Sequence, residues 1–236
     1  SNYQKKILQY RKRVRRNGKS SLENGFTGLN SSRQSSVALE RVNDVASHMF
    51  SQYTDYRNAG ANADVIFEEI YQNMKSVSDY LKQTFSARGV SVENIRCERD
   101  SSTQSIVMSV LWRKIGFTLA TNTLPSYVEQ RGGKRMTCYR IIATNGDCSK
   151  IIKNNPEDYV DKLLNDEVAS LYVPSNKSDA CELRARFLSN DIFTLTHQQA
   201  AKEFFLKVVE YICGGGTKHP EREFSSQFIN QFGRLY

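Results

Sequence analysis

Eight cations crowd the first nineteen residues: Lys5, Lys6, Arg11, Lys12, Arg13, Arg15, Arg16 and Lys19. Lys and Arg clustered on one short element are what a phosphate-backbone contact requires, because each neutralised phosphate releases condensed counterions. Tyr3 and Tyr10 stand among them, with rings suited to stacking on bases. The chemistry expected of this stretch is non-catalytic capture of DNA or RNA. The placement of charge sharpens it. Residues 1–33 hold nine cations, Arg33 being the ninth, against Glu23 alone, which is +8. The whole chain has 33 Lys and Arg against 25 Asp and Glu, so residues 34–236 carry 24 of each sign and sum to zero. A basic amphipathic segment also serves as a solubilising tail, a localisation signal or a membrane-surface helix, and docking on a partner protein is the reading that follows nucleic-acid capture.

A second basic feature is Arg131, Lys134 and Arg135 around Gly132-Gly133, where little side-chain bulk separates three cations and a phosphate can come close. Gly214-Gly215-Gly216-Thr217-Lys218-His219 precedes a helix start but lacks the strand and the spacing of a Walker loop, so its glycines read as the end of the preceding helix. Arg41 and His48 lie two turns apart on one helical face. This spacing resembles the R-x(4-6)-H arrangement of the HEPN ribonucleases, all-helical proteins in which such a pair acts on an RNA phosphodiester. The resemblance covers residues 37–87 alone, and Val42 stands where a polar residue usually follows the arginine. His197 falls in the first turn of a helix, and Glu68-Glu69 and Glu157-Asp158 lie on solvated faces or helix starts. No nucleophile elbow, zincin or nuclease pattern is present. An enzyme acting on phosphodiesters is the third reading, after a nucleic-acid binder and an adaptor subunit of a larger complex, and neither a cofactor nor a metal is expected.

Five cysteines, Cys97, Cys138, Cys148, Cys181 and Cys213, have scattered spacings without C-x-x-C, as expected of reduced and mostly buried thiols; Cys138 and Cys148 flank one loop, which leaves an approach between them open. No apolar run of eighteen residues occurs, so no membrane span or secretory leader is expected, and the compartment expected is the cytoplasm, or the nucleus in a eukaryote.

These residues have to be positioned by something. In the arm, Tyr3, Ile7, Tyr10 and Val14 recur at four, three and four, one apolar stripe on a basic helix. Asn17 to Ser36, rich in Gly, Ser and Asn, reads as a flexible linker, so residues 1–33 form an arm and 34–236 a body. Two amphipathic helices are expected next: Val37 to about Arg57, with Val42, Val45, Met49 and Tyr53 inward, and Asp64 to Ala87, with Ile66, Ile70, Met74, Val77 and Leu81 inward. Asn58 to Asn62, containing Gly60, breaks them, which makes a hairpin in which Val45, Met49 and Tyr53 meet Ile70, Met74 and Val77. Gly89 is placed to end the second helix.

Period-two alternation picks out the strands. Val92 to Glu98 leads into a meander in which Ile106, Met108, Val110 and Trp112 share one face, followed by Ile115, Phe117 and Leu119, then Met136 to Thr144. That register buries Trp112, which should then cost about 3–5 kcal/mol to remove. The loop from Leu124 to Arg135 carries the basic tip. Asn155-Pro156-Glu157-Asp158 signals a helix to about Asn165. Leu171 to Val173 and Ala180 to Arg186 form a further strand pair. Thr196 and Gln199 fit a capping box opening a helix that closes at Gly214, and Pro220 to Phe232 is a last helix. The fold class is therefore α+β: an antiparallel meander against a long helical hairpin and C-terminal helices, with a basic N-terminal helix on a linker.

Overall fold

The computed structural model describes residues 31–120, 126–129, 135–185 and 192–214. The expected helices at residues 3–16 and 220–232 and residues 17–30 of the expected linker lie outside them; the remainder of that linker, residues 31–36, is helical instead. The elements run α1 (Ser31–Ser86), β1 (Ile95–Asp100), β2 (Ser105–Val110), β3 (Arg113–Leu119), β4 (Ser126–Glu129), β5 (Arg135–Asn145), α2 (Cys148–Asn154), α3 (Tyr159–Leu163), β6 (Glu167–Pro174), β7 (Cys181–Ala185), β8 (Ile192–Leu195) and α4 (His197–Cys213). The class is α+β. Two compact units divide the chain, Ser1–Ser51 and Gln52–Tyr236. In the first, residues 37–51 are helical and solvent-exposed on every face.

Every strand pairing in the second unit is antiparallel, in the order β1-β2-β3-β5-β6-β7-β8. The long β5 organises it. One edge of β5 is shared, by β3 along Ile141–Asn145 and by β4 along Arg135–Cys138, while β6 occupies the other edge. Alternation sends Ile106 and Met108 of β2, Ile115, Phe117 and Leu119 of β3, and Ile141 and Ala143 of β5 to one face, where Ile66, Ile70 and Met74 of α1 and Phe204, Phe205 and Val208 of α4 cover them. Phe117 sits edge-on to Phe204 at 5.3 Å, at the centre of this core. The opposite face carries Val107 and Ile142, covered by Cys148, Ile152, Tyr159 and Leu163 of α2 and α3. Close approach there requires a glycine: a Cβ on Gly116 would come within 2.5 Å of Thr144 Oγ1, 2.7 Å of Cys148 Sγ and 2.8 Å of the Gly146 carbonyl.

The expected hairpin of two helices is a single helix instead. Gly60 costs a helix interior only about 1 kcal/mol, and here the small residues around it are useful. Ala59 and Ala63 are fully buried, the site of a Gly60 Cβ lies 3.4 Å from the Tyr139 ring, and Tyr56 stacks on that ring with centroids 5.3 Å apart. Asn62, read as part of the break, donates from Nδ2 to the Pro174 carbonyl at 3.0 Å and the Ser175 carbonyl at 2.9 Å, fastening the helix to the end of β6. Asn62→Ala leaves those bonds unmade and should lower stability by about 1–3 kcal/mol in urea unfolding. Ile70, Met74 and Val77 are buried against the sheet, whereas Val45, Met49 and Tyr53, expected to lie inward, are exposed. Gly89, at φ +72°, follows the last turn as its left-handed terminator.

Three further departures have local causes. Asn155, read as a helix start, instead ends α2, its Nδ2 donating to the Ile151 carbonyl at 3.0 Å, and α3 begins only at Tyr159. The short strands β4 and β8, four residues each, went unread because so few residues cannot show a period. Trp112 does not continue β2. Val110 pairs with Arg113, so Leu111 and Trp112 form a two-residue turn and the indole is 81% exposed. The buried register of Ile106 and Met108 holds, and the expected cost of removing Trp112 from a core falls away. In the C-terminal part the threonine half of the capping box is present: Thr196 Oγ1 accepts from the Gln199 amide at 3.3 Å, while the Gln199 side chain meets the Thr196 hydroxyl, which donates to its Oε1 at 3.0 Å, and α4 ends at Gly214.

Candidate functional site

Of the expected contact residues, Lys5, Lys6, Arg11, Lys12, Arg13, Arg15, Arg16, Lys19, Arg131 and Lys134 lie outside the described residues, as do Gly215 to His219. Arg135 is described: it is exposed, opens β5 and stands opposite Glu129 of β4. That pairing shortens the expected loop. The connection is residues 130–134, between β4 and β5, rather than one long loop from Leu124. Arg41 and His48 are both exposed on α1, within the first unit.

A cleft of about 580 Å³ opens where the β1–β2 turn meets α2, lined by Asp100, Ser101, Ser102, Ser105, Ser149 and Lys153 among others. Its charges are matched from within. Lys153 Nζ lies 2.5 Å from Asp100, whose Oδ1 also accepts from the Ser102 amide at 2.9 Å and hydroxyl at 2.6 Å, and Arg99 at the rim pairs with Glu68. The Lys153 ammonium, and then the Ser102 hydroxyl, hold the Asp100 carboxyl well below the usual carboxylate range. Asp100 is thus a hydrogen-bonded anion at neutral pH and a poor proton acceptor. A depressed carboxyl contributes stability above its unfolded-state value, about 3.9, and loses it as pH falls through its folded value. Lys153→Met should therefore raise the Asp100 pKa and move the acid limb of the stability curve, which carboxyl ¹³C titration by NMR reads directly.

On the face of the sheet opposite α1 and α4, Arg140, Tyr172 and Glu182 are neighbours across β5, β6 and β7, with Ser170 and Arg184 in the next row. Arg140 donates through Nη2 to both oxygens of Glu167, at 2.7 and 2.6 Å, and through Nε to Ser170 Oγ at 2.9 Å. Arg184 lies 4.8 Å from the centre of the Tyr172 ring and pairs with Glu182 at 2.5 Å. The row is a set of satisfied ion pairs. Its geometry is that of a structural clamp between strands.

The remaining candidates resolve simply. His197 opens α4, and burial, followed by the Lys177 charge, pushes its imidazole below the ordinary value, so it is neutral at pH 7. All five cysteines are free thiols. Cys138, Cys148 and Cys181 are buried, and burial pushes the first and second up to about 12. Cys138 and Cys148 sit in separate apolar clusters, and the neighbour whose charge Cys181 feels is Cys138, because β7 and β5 flank β6 while Cys148 begins a helix on another part of the sheet. Among the described residues no group of three potential metal ligands occurs, and no helix is long and apolar enough to cross a membrane. Trp112, like Val45, Met49 and Tyr53 of α1, is a residue that sequence reasoning placed inside and the structure places outside. Its signal was the two residues left between adjoining strands.

No protein-family model, no curated protein and no solved structure matches the chain. Fold and site together define an α+β protein with a charge-balanced body and a concentrated excess of positive charge in residues 1–33.

Proposed function

We propose that this protein binds nucleic acid without cleaving it, engaging the phosphate backbone through Lys5, Lys6, Arg11, Lys12, Arg13, Arg15, Arg16 and Lys19, with Arg131, Lys134 and Arg135 as a second contact. The observation that carries the reading is the charge count: the entire excess of +8 falls in residues 1–33. Charge pairing within the body supports it. Lys114 with Asp147, Lys153 with Asp100, and Arg140 with Glu167 are matched close at hand, so these cations offer little to a polyanion. Free thiols support a reducing compartment, cytoplasm or nucleus. The test is anisotropy of a labelled duplex at rising salt. About five phosphate contacts give a slope of log affinity against log salt near −4.5. No affinity for DNA or RNA, single- or double-stranded, at low salt overturns the reading.

A specific observation favours a second reading, an adaptor subunit. Val42, Val45 and Met49 of α1 are 62%, 59% and 63% exposed at three- and four-residue spacing, an apolar face of the kind partner helices use. Co-purification of a stable protein complex that resists high salt would favour it over nucleic-acid capture.

A further inference from the structure

We infer that Trp112, at the tip of the β2–β3 hairpin, is a base-stacking contact that selects single-stranded or unpaired nucleic acid. The inference rests on the nucleic-acid reading and narrows it to a ligand class. Trp112 is the only tryptophan of the chain, and at 81% exposed it is the most exposed large apolar side chain of the described residues. Scattered surface aliphatics need no explanation, but an indole held clear of its own sheet forgoes the largest apolar burial that any side chain provides.

The backbone that displays it is unusual as well. The turn between Val110 and Arg113 has two residues, and its first, Leu111, sits at φ +55°. Positive φ at the first central position of a two-residue hairpin normally belongs to glycine. A γ-branched residue there is in a conformation that L side chains adopt rarely. The chain thus holds a disfavoured backbone where it projects its one indole. Arg113 follows directly in sequence, half-buried as the first residue of β3, so a cation stands next to the indole along the chain. An exposed aromatic beside an arginine is the pairing that accepts one base face and its phosphate. Duplex bases hide their faces in the stack, so this contact is open only to unpaired ones. Every base has such a face, so the contact is tolerant of sequence, and nothing at the tip distinguishes ribose from deoxyribose.

Because Trp112 is the only tryptophan, its emission reports the contact without labelling. The full chain is titrated with a 12-residue oligo(dT), a 12-residue oligo(U), a blunt duplex and inorganic polyphosphate, reading tryptophan emission and, for labelled oligomers, anisotropy. Quenching by oligo(dT), oligo(U) or both, with none from duplex or polyphosphate, is the expected result, and the two oligomers show whether DNA, RNA or both are taken. By anisotropy, Trp112→Ala weakens single-strand binding about 10- to 100-fold and leaves duplex binding unchanged, while Trp112→Phe retains most of the affinity. Single-strand binding with unchanged emission, or Trp112→Ala binding as tightly as the parent, overturns this inference and leaves the arm reading standing. Failure to bind any nucleic acid by anisotropy overturns both. A blue shift on phosphatidylserine vesicles with no response to oligomers identifies the tip as a membrane contact and overturns the stacking role.

Discussion

Under the proposed function, deleting residues 1–33 should lower affinity for nucleic acid by at least about a hundredfold at 50 mM salt, since about five phosphate contacts would be removed at once and each would contribute to counterion release. What remains carries 24 cations and 24 anions, a net charge of zero. The body should survive the deletion, because the core formed by α1, α4 and the sheet draws its buried residues from Ala63 onward. Far-ultraviolet dichroism of the truncated chain should match that of the full chain after subtraction of the arm. The salt slope is the more telling number. It should collapse toward the small value given by the second contact, and neutralising Arg131, Lys134 and Arg135 in the full chain should produce a lesser loss, independent of base sequence. Equal affinity with and without the arm would remove the electrostatic basis of the proposal, whereas loss of secondary structure on truncation would show the arm to be part of the fold.

Glu167→Ala should cost about 3–5 kcal/mol, the largest loss of stability expected of a single polar substitution here, because it takes the carboxylate from the largely buried Arg140 guanidinium, which also bonds Ser170 Oγ. Arg140 and Glu167 have side chains 16% and 8% exposed, so solvent cannot replace the lost carboxylate. Removing both charges together behaves differently. Arg140→Met with Glu167→Leu fills similar volume without a charge to desolvate, and should recover most of the loss. Denaturant unfolding of the two single variants and the double variant yields the coupling energy. A Glu167→Ala loss below about 1 kcal/mol would show that water reaches the guanidinium and that the pair behaves as a surface ion pair.

The sequence by itself determined the strands' facing, the α4 cap and the distribution of charge. Ile106, Met108, Ile115, Phe117, Leu119 and Ile141 alternate because a pleated strand sends successive side chains to opposite faces, and that period survives any tertiary arrangement. The Thr196 cap is equally local, since hydroxyl and amide are three residues apart. Charge needs no fold at all to be counted. Tertiary structure decided the rest. Gly60 and Asn62 looked like a helix break, and only Tyr139 and the carbonyls of Pro174 and Ser175, residues far along the chain, make a continuous helix the better solution there. Asn155 has the chemistry of either helix end, and the preceding α2 claims it. Trp112 follows the alternation of β2 by type and spacing, but pairing of Val110 with Arg113 ends the strand two residues early. Whether an apolar residue at a strand's end is buried depends on where the partner strand begins, and that is set by hydrogen bonding across the hairpin, which the one-dimensional pattern does not contain.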